Sequence, residues 1–181
     1  MPTYVAFLRA INLGATRAFP KDAIVAAAEG AGFTGVATHL NTGNVLLTTS
    51  LRSRAKVETT LEEAFAADRG FEVPTIAFSP TELRTVVADA EDVGGAVDSV
   101  GRHYVSLLKE APPADVCREA EASSTDTELL VVRGRAAHLV MAQRATYHTA
   151  GLSNAWIEKR LGVATNRNLT VLRAVVGKWC T

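Results

Sequence analysis

Two short polar segments carry side chains suited to holding a small anion. The segment RAINLG contains Arg9 and Asn12, and the segment HLNTGNVLLTT places Asn41 and Asn44 around a Thr-Gly pair. Guanidinium and carboxamide N–H groups donate hydrogen bonds to carboxylate and phosphate oxygens. These residue types favour an anion-binding or amide-recognising site if the two segments meet.

A purely structural interpretation competes with this one. HLNTGNVLLTT is also typical of a tight hairpin between two β-rich runs, and asparagine often bonds its own backbone in such turns. A turn accounts for Gly43 and one asparagine, but it does not account for Arg9 and Asn12 in the other segment. Both interpretations stay open at this point.

A third polar segment, ATNRNLT, precedes an apolar run that predicts a helix over 166–179. Thr165 or Asn166 is expected to cap this helix, with Arg167 and Asn168 in its first turn. Open backbone N–H groups there, together with Arg167, would suit a phosphate or carboxylate. The alternative is that Thr165 only caps the helix and Arg167 pairs with a nearby acid.

The elements that position these segments follow the order β-α-β-β-α-β in the first half, which is the ferredoxin-like succession. The predicted strands are 3–11, 35–40, 44–49 and 73–78, and the predicted helices are 20–33 and 54–70. The second half reads β-α-β-β-α-α, so it resembles the first half without matching it. Its predicted elements are a strand 103–110, a helix 112–123, a hairpin 127–142 turning at Gly134, and helices 153–162 and 166–179.

The predicted fold class is therefore α+β, with a ferredoxin-like subdomain over 1–95 and a related α+β subdomain over 96–181 that ends in two helices. The Gly-rich stretch 92–101 supplies the boundary. One fused body, with the later helices lying across the first sheet, is the alternative.

In a β-α-β-β-α-β sheet the end of the first strand and the turn between the second and third strands lie at the same edge. The start of the first helix points to that edge and adds its positive dipole end. The predicted site residues at this edge are Arg9, Asn12, Gly14, Asn41, Gly43 and Asn44.

Composition excludes some classes of function. The chain has 19 Lys and Arg against 19 Asp and Glu, which argues against a protein dedicated to coating DNA or another polyanion. From Arg133 onward, however, eight Lys and Arg face the single acid Glu158. An anionic partner, including a nucleic-acid backbone bound weakly, is therefore an alternative for this region.

No apolar stretch is long enough for a signal core or a membrane span, and we expect a cytoplasmic protein with no membrane partner. Cys117 and Cys180 lack any CxxC or Cys-His spacing, so no metal site, disulfide or cofactor is predicted. The sequence sets no oligomeric state.

The three polar segments also resemble the DUF1697 family, bacterial proteins of unknown function with the patterns LLRGINVGG, QSGNV and TRNWNT. The resemblance implies an α+β fold made of ferredoxin-like subdomains, and it implies no reaction. It carries the family's polar positions onto Arg9, Asn12, Gly14, Gly43, Asn44, Arg167 and Asn168. Ala10 stands where the family has Gly, and Leu169 stands where it has Trp.

No motif of a catalytic triad, phosphate-binding loop or zinc protease is present. His39, next to the hairpin, is the best acid-base candidate, although a histidine at a strand end is more often packed or solvated. Whether the protein is an enzyme is left undecided. The leading hypothesis is a protein that binds a small molecule or anion, and the rival is an interaction module that uses the basic last third.

Overall fold

The computed structural model describes residues 1–96, 100–143, 145 and 147–181. The chain packs into two compact units. Unit 1 consists of Met1–Leu83 and Gly177–Thr181, and unit 2 consists of Arg84–Val176. The division between residues 83 and 84 falls inside one helix, whereas the division predicted between residues 95 and 96 falls at the end of that helix.

Unit 1 has the order expected for a ferredoxin-like fold. Its elements are β1 (Thr3–Leu8), α1 (Lys21–Gly30), β2 (Thr34–His39), β3 (Asn44–Thr48), α2 (Arg54–Arg69), β4 (Thr75–Phe78) and the first residues of α3 (Pro80–Gly95). The strands form an antiparallel sheet in the order β2-β3-β1-β4. The β-α-β-β-α-β succession predicted for the first half is confirmed.

The central strand β1 is buried because it has apolar residues on both faces. On one face, Leu8 belongs to a core with Phe19 and Phe65, whose rings meet edge to face at 5.1 Å. On the other face, the Phe7 and Phe78 rings lie 6.2 Å apart. Packing on both faces anchors β1 and thereby fixes the position of the loop that follows it.

The last residues of unit 1 come from a distant part of the sequence. Gly177–Thr181 belong to this unit, and there the Trp179 ring lies 6.1 Å from the His39 ring in an edge-to-face contact. Cys180 is buried, with only 2% of its surface exposed. Unit 1 is therefore completed by a segment that follows all of unit 2 in the chain.

Unit 2 repeats the same topology. Its elements after α3 are β5 (Val100–Leu108), α4 (Ala114–Glu121), β6 (Glu128–Arg133), β7 (Ala136–Ala142), a 3-10 turn (Tyr147–Thr149), α5 (Asn154–Leu161), β8 (Ala164–Asn168) and α6 (Leu169–Trp179) as far as Val176. The sheet order is β6-β7-β5-β8, and each strand has the same rank as its counterpart in unit 1. The predicted α+β fold class is confirmed.

The predicted order β-α-β-β-α-α for the second half is wrong, because a fourth strand follows α5. Thr165 pairs with Leu107 and Arg167 pairs with Val105 across the edge of β5. These residues are therefore strand residues, and the prediction that Thr165 or Asn166 caps a helix, with Arg167 and Asn168 in its first turn, is wrong. Backbone hydrogen bonding to the open edge of β5 outweighs the helix-start pattern of the local sequence.

Helix α6 begins later than predicted. Asn168, the last residue of β8, accepts a hydrogen bond through Oδ1 from the N–H of Thr170 at 2.8 Å. This is the capping contact expected at a helix start, made three residues beyond Thr165. Among the described residues, none of the helices is both long enough and apolar enough to cross a membrane.

The two faces of the unit 2 sheet differ in chemistry. One face packs Leu108, Leu139 and Met141 against Ile157 and Leu161 of α5 in an apolar core. By register, the opposite face carries the polar residues His103, His138 and Arg167, all of them buried.

Candidate functional site

In unit 1 the loop after β1 and the turn between β2 and β3 meet. The backbone N–H of Leu8 donates to the carbonyl oxygen of Gly43 at 2.8 Å. The Nδ2 group of Asn12 donates to the carbonyl oxygen of Asn41 at 2.6 Å. The structure therefore brings together the two polar segments that topology placed at one edge.

Asn12 forms hydrogen bonds within its own loop in addition to the one that links it to the β2–β3 turn. Its Oδ1 accepts from the N–H of Phe19 at 2.8 Å, and its Nδ2 also donates to the carbonyl oxygen of Phe19 at 3.2 Å. Asn44 is fully buried, and its Nδ2 donates to the carbonyl oxygen of His39 at 2.8 Å and to Oγ1 of Thr42 at 3.1 Å. The carboxamides of Asn12 and Asn44 thus hold the two loops in place, as the purely structural interpretation of these residues predicts.

The same two loops hold strained backbone. Ala10, Asn12 and Leu40 have φ angles of 55°, 55° and 60°, and no other non-glycine residue of the described chain has a positive φ. Asparagine tolerates this left-handed region, whereas it costs other side chains about 1–2 kcal/mol per residue, so the strain lies at Ala10 and Leu40. Leu40 is also 43% exposed, and Leu13 in the neighbouring loop is 65% exposed.

Gly43 is required at the point of closest approach. Its φ is 76°, and a Cβ atom there would lie 2.7 Å from Cβ of Leu8 and 2.9 Å from Cδ1 of Ile11. Both distances are shorter than real carbon contacts, so no side chain fits without moving the backbone.

A cavity of about 560 Å³ opens beside the junction of the two loops. It is lined by Asn12, Pro20, Lys21, Asp22 and Asn41. Pro20, at the N-cap position of α1, has no side chain that can accept a hydrogen bond. It therefore leaves the backbone N–H groups of the first helical turn uncapped.

The other predicted residues of this edge are not among those that line the cavity. Arg9 is half-buried, and its backbone N–H donates to the carbonyl oxygen of Pro74 at 2.9 Å. Gly14 is exposed, with a φ of 69°. Gly43 and Asn44 are buried in the turn.

The remaining three predicted residues belong to unit 2. Arg167 is 7% exposed, and its Nη1 donates to Oγ1 of Thr165 at 2.9 Å and to the carbonyl oxygen of Asn166 at 2.8 Å. Burial lowers the pKa of Arg167 to about 10, so the guanidinium remains charged at neutral pH. Asn168 lines a second cavity, at the start of α6.

Sequence reasoning missed a pair of buried histidines in unit 2. The rings of His103 and His138 lie edge to face, with their centroids 5.5 Å apart. Burial is the main cause that lowers the pKa of His103 to about 4 and that of His138 to about 3. The signal available in the sequence was their position on the inward-facing residues of two apolar strands, HYVSLL and AAHLVM.

The excess of basic residues in the last third is partly neutralised within unit 2. Arg133 forms ion pairs with Asp89 at 3.3 Å and Asp92 at 2.7 Å. Arg173 binds the carboxylate of Glu91 through Nε at 2.6 Å and Nη2 at 2.8 Å. With Arg167 buried, less positive charge is available to a polyanion than the local sequence count implies.

Two ferredoxin-like units in succession, each with the same sheet order, define a duplicated α+β protein. The chain belongs to the DUF1697 family, described as a protein of unknown function, whose family model matches residues 1–138. The predicted membership in this family is thereby confirmed, and the match includes the first two polar segments, whereas the third, at residues 164–170, lies beyond the matched range.

Among solved structures, the chain is similar to the conserved bacterial protein SP0830 from Streptococcus pneumoniae. The TM-score is 0.79 with 18% sequence identity, and the match covers 99% of this chain and 98% of that chain. This likeness shows a shared fold. No curated protein matches the chain.

Proposed function

We propose that the protein binds a small anionic ligand, a carboxylate or phosphate compound, at the edge of unit 1 where residues 9–14 meet residues 40–44. The supporting observation is that all three non-glycine residues with positive φ in the described chain lie in these two loops. Backbone strain persists where the surroundings enforce it, and it clusters at ligand-binding sites.

The cavity beside the loops has the chemistry for this ligand. The first turn of α1 presents backbone N–H groups and the positive end of the helix dipole. Lys21 adds a cation and Asn41 an exposed carboxamide, whereas Asp22 repels a second negative charge. This balance favours an anion of low charge that also carries a hydrogen-bond donor.

The two loops also carry exposed apolar side chains. Leu13 and Leu40 lie in the same two loops and are 65% and 43% exposed. A ligand that covers them would remove apolar surface from water and gain affinity in proportion to the area buried. The proposed ligand therefore has an apolar part next to its anionic group.

Titration of ¹⁵N-labelled protein with inorganic phosphate and with acetate tests the anion site. We expect saturable shifts of the backbone amides of residues 12, 21–23 and 41. Lys21→Met keeps the length of the side chain and removes its charge, so affinity for the anion should fall about 2- to 5-fold, as for an exposed ion pair. Lys159→Met, an exposed position on α5 in unit 2, is the matched control and should leave this affinity unchanged.

Two outcomes contradict the proposal. In the first, neither probe produces saturable shifts in these loops. In the second, Lys21→Met and Lys159→Met bind with the same affinity. Titration with propionate or butyrate in place of acetate then tests whether the ligand has an apolar part. Each added CH₂ that contacts Leu13 or Leu40 should increase the affinity.

A further inference from the structure

A second cavity, of about 380 Å³, lies wholly within unit 2. The C-terminal turns of α3, the start of β5 and the first turn of α6 form its walls. The lining side chains and glycines that matter here are Glu91, Gly94, His103, Asn168, Thr170 and Arg173.

His103 is a buried polar side chain in this wall. Only 6% of its surface is exposed, and its Nε2 has no hydrogen-bond partner among the described residues. Its Nδ1 faces Gly94, since a methyl group added at that glycine would lie 3.6 Å from Nδ1. Gly94 also lines the cavity, so Nδ1 is directed to the cavity side.

A neutral imidazole carries its proton on one nitrogen, and the other nitrogen is an acceptor. With the proton on Nδ1, His103 can donate to an atom in the cavity and bury only a lone pair at Nε2. Nε2 is left unsatisfied in either tautomer, which costs about 1–3 kcal/mol, so its burial alone selects neither. An oxyanion in the cavity selects the tautomer with the proton on Nδ1, because a lone pair on Nδ1 would repel it.

The charges around the cavity favour an anion. Glu91 and Arg173 neutralise each other in a two-point ion pair, and Arg102 adds one further cation to the lining. Helix α6 directs the positive end of its dipole to the same space. Burial and the charge of Arg173 lower the pKa of His103 to about 4, so the ring binds as a neutral donor at pH 7.

We propose that this cavity is a binding site for a small oxyanion, a carboxylate or phosphate group, which accepts a hydrogen bond from Nδ1 of His103 at the start of helix α6. The site differs from the one proposed for unit 1 in its residues, its elements and its unit. It gives the protein a second place for an anionic group.

Gly94→Ala provides a specific test. The added methyl group sits in ordinary van der Waals contact with Nδ1, so it covers the donor without displacing the ring. The glycine lies near the end of α3, where alanine favours the helix, and the variant should fold. Gly177→Ala is the matched control, because its Cβ would meet no atom within 4 Å and Gly177, an exposed helical position on α6, does not line this cavity.

The measurement is a titration of ¹⁵N-labelled full-length protein with acetate and with inorganic phosphate at constant ionic strength. We expect saturable shifts of the imidazole nitrogens of His103 and of the amides of residues 168–171. Gly94→Ala should weaken this binding at least 10-fold and His103→Phe should abolish it, whereas Gly177→Ala should stay within 2-fold of the wild type. The probe that saturates identifies the group, carboxylate or phosphate.

Shifts that remain linear with both probes would overturn the proposal. So would saturable binding that Gly94→Ala leaves unchanged, because the donor would then play no part. The amides of residues 12, 21–23 and 41 report the unit 1 site in the same spectra. Failure of one site is therefore distinguishable from failure of the other.

Discussion

Replacement of His138 by leucine tests the energetic cost of the buried histidine pair. His138 is fully buried on β7, where it is flanked by Val105 and Val131, and neither ring nitrogen has a hydrogen-bond partner among the described residues. Leucine fills a similar volume without polar atoms. At pH 7 we expect His138→Leu to unfold with a free energy equal to or about 1–2 kcal/mol above that of the wild type.

The larger effect appears on acidification. Burial, followed by the charges of His103 and Arg133, lowers the pKa of native His138 to about 3, against 6.5 for the ordinary side chain. Between these two values the unfolded chain binds a proton that the native state does not, so stability falls as the pH falls from 6.5 towards 3. Because pH 5 lies 1.5 units below 6.5, His138 lowers the free energy of unfolding at pH 5 by about 2 kcal/mol. Above pH 6.5 both states are neutral at this residue and it makes no pH-dependent contribution.

Urea unfolding at pH 7 and pH 5 measures this loss. A Trp179→Phe background leaves Trp156 of α5 as the fluorescent reporter of unit 2. Between the two pH values, the wild type should lose about 2 kcal/mol more than His138→Leu. His148→Leu, at an exposed position, is the control and should keep the wild-type dependence. Equal losses in the wild type and His138→Leu would refute the reasoning, because native His138 would then protonate as readily as the unfolded chain.

Two further predictions concern the strained edge of unit 1. Ala10→Gly should stabilise unit 1 by about 0.5–1 kcal/mol, since glycine relieves the φ of 55° at the cost of a more flexible unfolded chain, and a lower urea midpoint would contradict this. Gly43→Ala should cost about 2–4 kcal/mol because its Cβ would overlap Leu8 and Ile11, and a thermal midpoint within 1 °C of the wild type would show that the turn adapts.

The first half of the fold could be predicted because its local signals agree with its topology. The strands alternate or run continuously apolar, and Gly43 marks the hairpin turn. The position of one loop beside another followed from strand direction alone, without any side-chain information. The strain at Ala10 and Leu40 could not be predicted, since neither residue type indicates a left-handed backbone.

Helix α3 was missed although the sequence contains its start signal. Ser79 and Glu82 form a capping box, in which Oγ of Ser79 accepts from the N–H of Glu82 at 3.2 Å and Oε2 of Glu82 accepts from the N–H of Ser79 at 2.8 Å. Pro80 follows at the first helical position, where proline is favoured. The Gly94–Gly95 pair at the end of α3 favours a domain boundary rather than a helix in the sequence.

Strand β8 was missed because its local sequence gives no strand signal. ATNRN has no apolar alternation, and its residues favour turns and helix caps. The segment is a strand because it pairs with the open edge of β5, and this tertiary contact has no signal in the local sequence. The repeat itself offered the missing information, since the first half places a fourth strand after its second helix. The same error placed the predicted helix start at residues 165–168, whereas α6 begins at Leu169.

The placement of Gly177–Thr181 in unit 1 has a consequence for biosynthesis. Residues 1–83 leave the ribosome first, but Trp179 and Cys180, which complete their packing, emerge only after all of unit 2. At about 5–20 residues per second the delay is on the order of 5–20 s. During that time the surface around His39 stays uncovered in the nascent chain, so the order of synthesis differs from the order in which the units can be completed.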